Sequence, residues 1–174
     1  MQGWTPLIVV HAITATLAMV LGAVNLFRRR RGDLPHRVIG RTWLGAMYLT
    51  ALSSFGIQEL RPGRFSWIHA LSVLTLVTLT LGLWHARRGH VAAHAGNMIG
   101  SYLGLIGAFI GVVAVPSRLI PQAFQSNWLG MATITALIVG AGLAFVAVVT
   151  RMLGGHVARV TSGDAVDTPV GTAQ

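Results

Sequence analysis

Seven histidines stand in a chain of 174 residues that is otherwise 53% hydrophobic and 10% charged. An imidazole titrates near neutral pH and offers a nitrogen lone pair to iron, zinc or copper, so a set of them in an apolar sequence is where chemistry is to be sought. The chain has no cysteine, which excludes disulfides, thiolate metal sites and cysteine nucleophiles. Its acids are Asp33, Glu59, Asp164 and Asp167 alone, which excludes a carboxylate-rich di-iron site. Phosphate-cradling glycine loops, a serine nucleophile elbow and a zinc-protease helix are also missing from the sequence. Any metal or cofactor must be held by His, Met, Asn, Tyr or these few acids.

The elements that would position the histidines are long apolar runs. Mean hydropathy is +0.67, and a soluble domain usually carries about a quarter charged residues. A bilayer core of about 30 Å needs about 20 apolar residues in helix. Five stretches meet or nearly meet that length: Thr5 to Phe27, Val38 to Ile57, Phe65 to Ala86, Asn97 to Val115 and Trp128 to Thr150. Short polar hinges separate them, as expected of antiparallel neighbours. The sequence thus predicts an all-α, polytopic transmembrane bundle of about five spans over residues 1–151. A tail over 152–174, rich in Gly, Thr, Val and Asp, shows no period and is expected to be disordered. Thr5 to Phe27 follows no basic n-region and precedes no small-residue cleavage site, so it is expected to stay as a span.

The formal charge of +9 comes from thirteen arginines, without a lysine. They lie between apolar runs and beside no RNA-binding motif, so nucleic acid is not the expected partner. Basic loops are retained on the cytoplasmic face. Nine arginines fall after spans one, three and five, and three (Arg61, Arg64 and Arg118) on the opposite side. The N-terminus is therefore expected outside and the C-terminus inside. Trp4, Trp67 and Trp128 open spans at the outer side, and Trp43 and Trp84 lie near inner ends, where headgroup-level belts form.

On that topology the histidines sort by depth. His11 on span one and His69 on span three lie in the outer leaflet, while His36, His85, His90 and His94 lie at inner ends and His156 falls in the tail. Imidazole is an axial ligand of haem iron, and bundle cores house such cofactors. His11 with His69 would clamp one haem b near the outside, and His36 with His94 a second near the inside. The pattern resembles, in architecture alone, two-haem membrane cytochromes of the b type. Electrons would then pass between a quinone or an outer redox partner and the other face. His85 ranks lower, because sixteen residues from His69 put it about 160° round the same helix. Arg41 is placed to snorkel to phosphates or to pair with a haem propionate. A second use of the inner cluster is a Zn, Cu or Fe ion held by His36, His90 and His94.

Two spans carry small residues at heptad spacing: His11, Ala15, Ala18, Gly22 and Asn25 on span one, and Gly100, Gly104, Gly107 and Gly111 on span four. Such seams let helix backbones approach closely in lipid. The sharper alternative is that they make room for a flat cofactor.

The runs His36-Arg37-Val38-Ile39-Gly40-Arg41-Thr42-Trp43, Ser53-Ser54-Phe55, Arg64-Phe65-Ser66-Trp67-Ile68-His69 and Ala86-Arg87-Arg88-Gly89, the last followed by His94, resemble a family of bacterial multi-pass membrane proteins classed as domain of unknown function 2306. The resemblance covers roughly Val10 to Arg118. It implies a bacterial plasma-membrane location and, if the pattern marks a site, the positions His36, Arg41, His69 and His94. Beside the haem reading stand two others. A non-catalytic subunit or assembly factor, alone as a homo-oligomer or in a larger membrane complex, would tolerate loss of its histidines. A small transporter would line a path with the seam, although the spans lack internal proline and acid.

Overall fold

The computed structural model describes the backbone of residues 4–57, 67–116 and 118–163, and the side chains of these apart from 67, 68 and 154–163. Among the described residues every regular element is a helix: α1 (Pro6–Phe27), α2 (Leu34–Ser54), α3 (Trp67–Arg87), α4 (Val91–Val113), α5 (Leu119–Ser126) and α6 (Trp128–Gly163). Those long and apolar enough to cross a membrane run over Pro6–Phe27, His69–Arg87, Val91–Val113 and Trp128–Leu153. At 22 residues and about 1.5 Å per residue, α1 alone reaches about 33 Å. Large apolar side chains face outward, Leu137 at 68% and Leu103 at 60% exposure, as lipid-facing helices require.

The second expected span is a helix of the right length, 21 residues, but it does not meet the same standard of apolarity. Its polar residues are tolerated because α2 is the interior helix. It packs on α1, α3 and α6 and buries Pro35, Ile39, Trp43, Met47, Thr50 and Ala51. It begins at Leu34 rather than Val38 because Asp33 caps it, one carboxylate oxygen accepting the His36 backbone N–H at 2.9 Å. Pro35, in the first turn, has no N–H that needs a partner.

Likewise α4 begins before the expected Asn97, because α3 ends in a tight left-handed stop. Gly89 adopts φ +75, the His90 N–H donates to the His85 carbonyl at 2.9 Å, and the Gly89 N–H donates to that of Ala86 at 3.2 Å. This double bond pattern closes a helix and permits immediate reversal. His94 consequently belongs to the first turn of α4. The eight-residue α5 was not legible as a helix beforehand. α6 continues past Thr150 to Gly163, into the segment expected to lack structure, because extending a formed helix costs little compared with nucleating one.

The first four helices form a ring. α1 packs on α2, α2 on α3, α3 on α4 and α4 on α1, whereas the backbones of α1 and α3 do not pack on one another, nor do those of α2 and α4. They are the diagonals. α6 lies outside the ring against α1 and α2, and α5 bridges α4 and α6. Polar side chains tie neighbours together: Thr50 to Thr14 at 3.0 Å, Tyr48 to Thr80 at 2.7 Å and Thr78 to Ser101 at 2.8 Å. Bonds of this kind contribute roughly 0.6 kcal/mol each within a membrane.

The two small-residue seams behave differently. On α1, a Cβ at Gly22 would stand 2.5 Å from the Tyr102 ring and 2.6 Å from Trp43 Nε1, so this glycine does permit a close three-helix crossing. On α4, a Cβ at Gly100, Gly104, Gly107 or Gly111 would meet no heavy atom within 4 Å. The expectation of close backbone approach is therefore met at Gly22 and not met along α4. Trp43 also departs from its expected place in an interfacial belt. It is 4% exposed and joins Ala18, Leu21, Ile39, Met47, Leu79 and Val149 in the core, where the missing side chain of Gly22 makes room for its indole.

Candidate functional site

His11 sits two turns into α1 and faces the far end of α2, where its Nδ1 lies 2.9 Å from Ser53 Oγ. The single hydroxyl proton of Ser53 goes to the Thr50 carbonyl at 3.1 Å. The hydroxyl must then accept from His11, which assigns the proton of a neutral ring to Nδ1 and leaves a bare lone pair on Nε2. His69 is 5% exposed, with its ring 5.9 Å from that of Phe55. Both histidines open on one cavity of about 570 Å³, within the 300–1,000 Å³ range common for ligand pockets.

This cavity is bounded by α1, α2, α3, α4 and α5. Along α4 it runs from Gly104 to Val112, about 12 Å of helix rise. Met19, Met47 and Leu105 line it toward the middle of the bundle, and Thr16, Thr50, Ser54 and Thr75 also belong to its lining. Gly104 and Gly111 form part of one wall, where a larger side chain would project into the space.

His36 and His94 occupy the opposite end of the ring, on the other diagonal. Seventeen residues of α2 separate His36 from Ser53, about 25 Å along the axis. His94 Nδ1 lies 2.9 Å from the Gly82 carbonyl. A carbonyl only accepts, so Nδ1 carries the proton and Nε2 is again bare when the ring is neutral. Pinning one ring nitrogen while leaving the other free is the arrangement that orients metal-ligating imidazoles. His36 lies near enough to His94 to feel its charge. His36 Nδ1, Trp43 Nε1 and Asn25 Oδ1 are buried without hydrogen-bond partners, an unusual set for an apolar interior.

The hinge that carries His36 is held electrostatically. Arg28 pairs with Asp33 at 2.7 Å, Arg37 Nε donates to the Gly32 carbonyl at 3.0 Å, and Gly32 takes φ +82. Desolvation works to raise the Asp33 pKa, but the Arg28 hydrogen bond and the His36 N–H outweigh it and hold the carboxyl below its ordinary value.

A scan against protein families matches residues 8–153 to the model described as Predicted membrane protein (DUF2306). The chain belongs to that family. No curated protein and no solved structure matches it. The DUF2306 match takes in all four paired histidines as well as the cavity wall from Ile8 to Ile120.

Within this DUF2306 bundle, the expected residues divide. His11 and His69 are brought to one cavity, and His36 and His94 are brought near each other. Arg41 is exposed and lies about 140° round α2 from His36, so it is not directed at that pair. His90 is the N-cap of α4; its Nδ1 lies 3.5 Å from that of His85, and His85 packs on Trp84, which Arg88 covers at 4.4 Å. Among the described residues no group of three His, Asp or Glu is placed to hold a metal ion. Glu59, Arg61 and Arg64 lie outside the described residues, as do the side chains of Trp67 and His156. Ser53, Phe55, Asn25 and Arg118 were not singled out for a site role from the sequence. Only the hydroxyl-rich end of α2 gave a signal, and Arg118 registered solely as a topology charge.

Proposed function

We propose that this membrane protein holds b-type haem between histidines facing each other across the ring diagonals and conducts electrons along its length. His11 and His69 are the axial ligands at one end, His36 and His94 at the other. Arginine bias puts the His11 end outside, with five crossings, α2 included. The electrons are exchanged with a quinone or a protein redox partner. One observation carries the reading: each pair comes from two helices whose backbones do not pack on one another, at matched depth, and His11 and His69 both line one ligand-sized cavity. Bare Nε2 atoms at His11 and His94 supply the required donor. The orphaned polar atoms of Asn25, His36 and Trp43 favour a polar occupant near the second pair.

The test is an absorption spectrum of protein purified in detergent from haem-replete cells. A reducible Soret band is expected, with about two haems per chain. His11→Ala or His69→Ala should remove one, His36→Ala or His94→Ala the other. A colourless preparation, or haem content indifferent to all four substitutions, contradicts the proposal.

A further inference from the structure

Among the described residues, the lining of the cavity between α1 and α3 has one arginine, Arg118, at the end opposite Met19 and Met47. Arg118 precedes α5 as its N-cap. Among the described residues its guanidinium takes part in no ion pair, side-chain hydrogen bond or ring contact. Arg118 is half-buried, and a guanidinium with five donors and no partner, on a residue that lines a ligand-sized cavity, suits a carboxylate or phosphate.

We infer that Arg118 anchors the acidic edge of the group that fills this cavity, the two propionates of a haem. This rests on the haem reading of His11 and His69. A tetrapyrrole held through its iron carries both carboxylates on one edge, and only one direction suits them. Turned inward they would meet Met19, Met47 and Leu105, and an unpaired carboxylate in apolar surroundings is prohibitively costly. Turned the other way they reach Arg118, whose planar fork matches a carboxylate in two parallel hydrogen bonds. The same contact fixes which edge of the ring faces the membrane surface, and so where an electron enters or leaves. Arg118 acts here as a positioning residue, because the iron ligands remain the histidines.

The experiment titrates haem-free full-length protein, with His94→Ala to remove the second site, against haemin and against haemin dimethyl ester, whose propionates are neutral. With Arg118 present, haemin should bind about ten- to a hundredfold more tightly than the ester, the range for a charge-assisted contact. Arg118→Gln should erase that preference by weakening haemin alone, and Arg118→Lys should restore part of it. Unchanged ester affinity in Arg118→Gln shows the cavity intact. A preference for haemin that survives Arg118→Gln places the acidic edge elsewhere and overturns the inference while sparing the histidine ligands. Failure of both compounds to bind overturns the haem reading and this inference with it.

Discussion

The two ends of the ring solve opposite problems with similar residues. At the His11 end the helices stand apart around a cavity, and the glycines of α4 meet nothing. About two turns further into the bundle than His36 and His94, side chains of α2 and α4 meet α1 so closely that Gly22 admits the Trp43 indole and the Tyr102 ring against its backbone. Small residues in a transmembrane helix therefore have two uses: omitting a side chain permits contact in one place and preserves empty space in another. Which use applies is set by whether a neighbour's large side chain points into the gap.

That contrast is open to direct attack. The largest effect expected is on ligand binding. Gly104→Phe should fill the cavity and lower haem content at the His11–His69 site by tenfold or more, with little loss of thermal stability, since a Cβ there meets nothing within 4 Å and the ring can enter the cavity that Gly104 lines. Retention of full haem by Gly104→Phe would show that the occupant lies elsewhere. Next comes packing at the other end. Gly22→Val should destabilise the fold by about 1–3 kcal/mol, the usual cost of overpacking, read as a lowered unfolding temperature in detergent. The matched change Gly107→Val should leave that temperature nearly unmoved, and equal losses at the two positions would erase the distinction between the seams.

Ligand orientation comes third. Ser53→Ala leaves His11 in the cavity but removes the acceptor that fixes its ring, so haem affinity should fall about 10–100-fold, as for other outer-shell partners. Thr14→Ala, one helix turn from His11 and bonded to Thr50, should do much less. The smallest effect concerns the hinge. Asp33→Ala removes the cap of α2 and should cost about 1 kcal/mol, while Asp33→Asn should cost a few tenths. Because the folded-state pKa of Asp33 is depressed, its contribution is present above the unfolded value near 4 and is lost as pH falls through the folded one. Acid-unfolding curves of wild type and Asp33→Asn should converge at low pH and differ by a few tenths of a kcal/mol at neutrality.

Much of this architecture is written in the sequence. Long apolar runs located α1 and α3 to within two residues and the start of α6, because lipid forces any such run to satisfy its own amide groups as helix, but they missed the first six residues of α4 and the last thirteen of α6. Which histidines share an end of the ring was also legible, since residue number along a helix converts directly to rise along its axis. Which helices face each other was not: periodicity gives each helix a face but does not order four of them round a ring. The choice between the two readings of the α4 glycines stayed open for the same reason, because an open seam and a packed one have identical spacing. Trp43 looked interfacial by its sequence position near a helix end, and only the contact with Gly22 reveals it as core. Arg118 was overlooked because a lone arginine in a loop reads as a topology charge until α5 and α4 bring it to a cavity.

The central claim is that His11 and His69 bind one iron from opposite sides. Low-temperature electron paramagnetic resonance of the oxidised protein, in a His94→Ala background that leaves only that site, tests it most directly. A low-spin ferric signal of a bis-imidazole haem is expected, converting to high spin or vanishing when either His11 or His69 is changed to Ala. A low-spin signal that survives both single substitutions, or no haem signal from haem-loaded wild-type protein, would contradict the account.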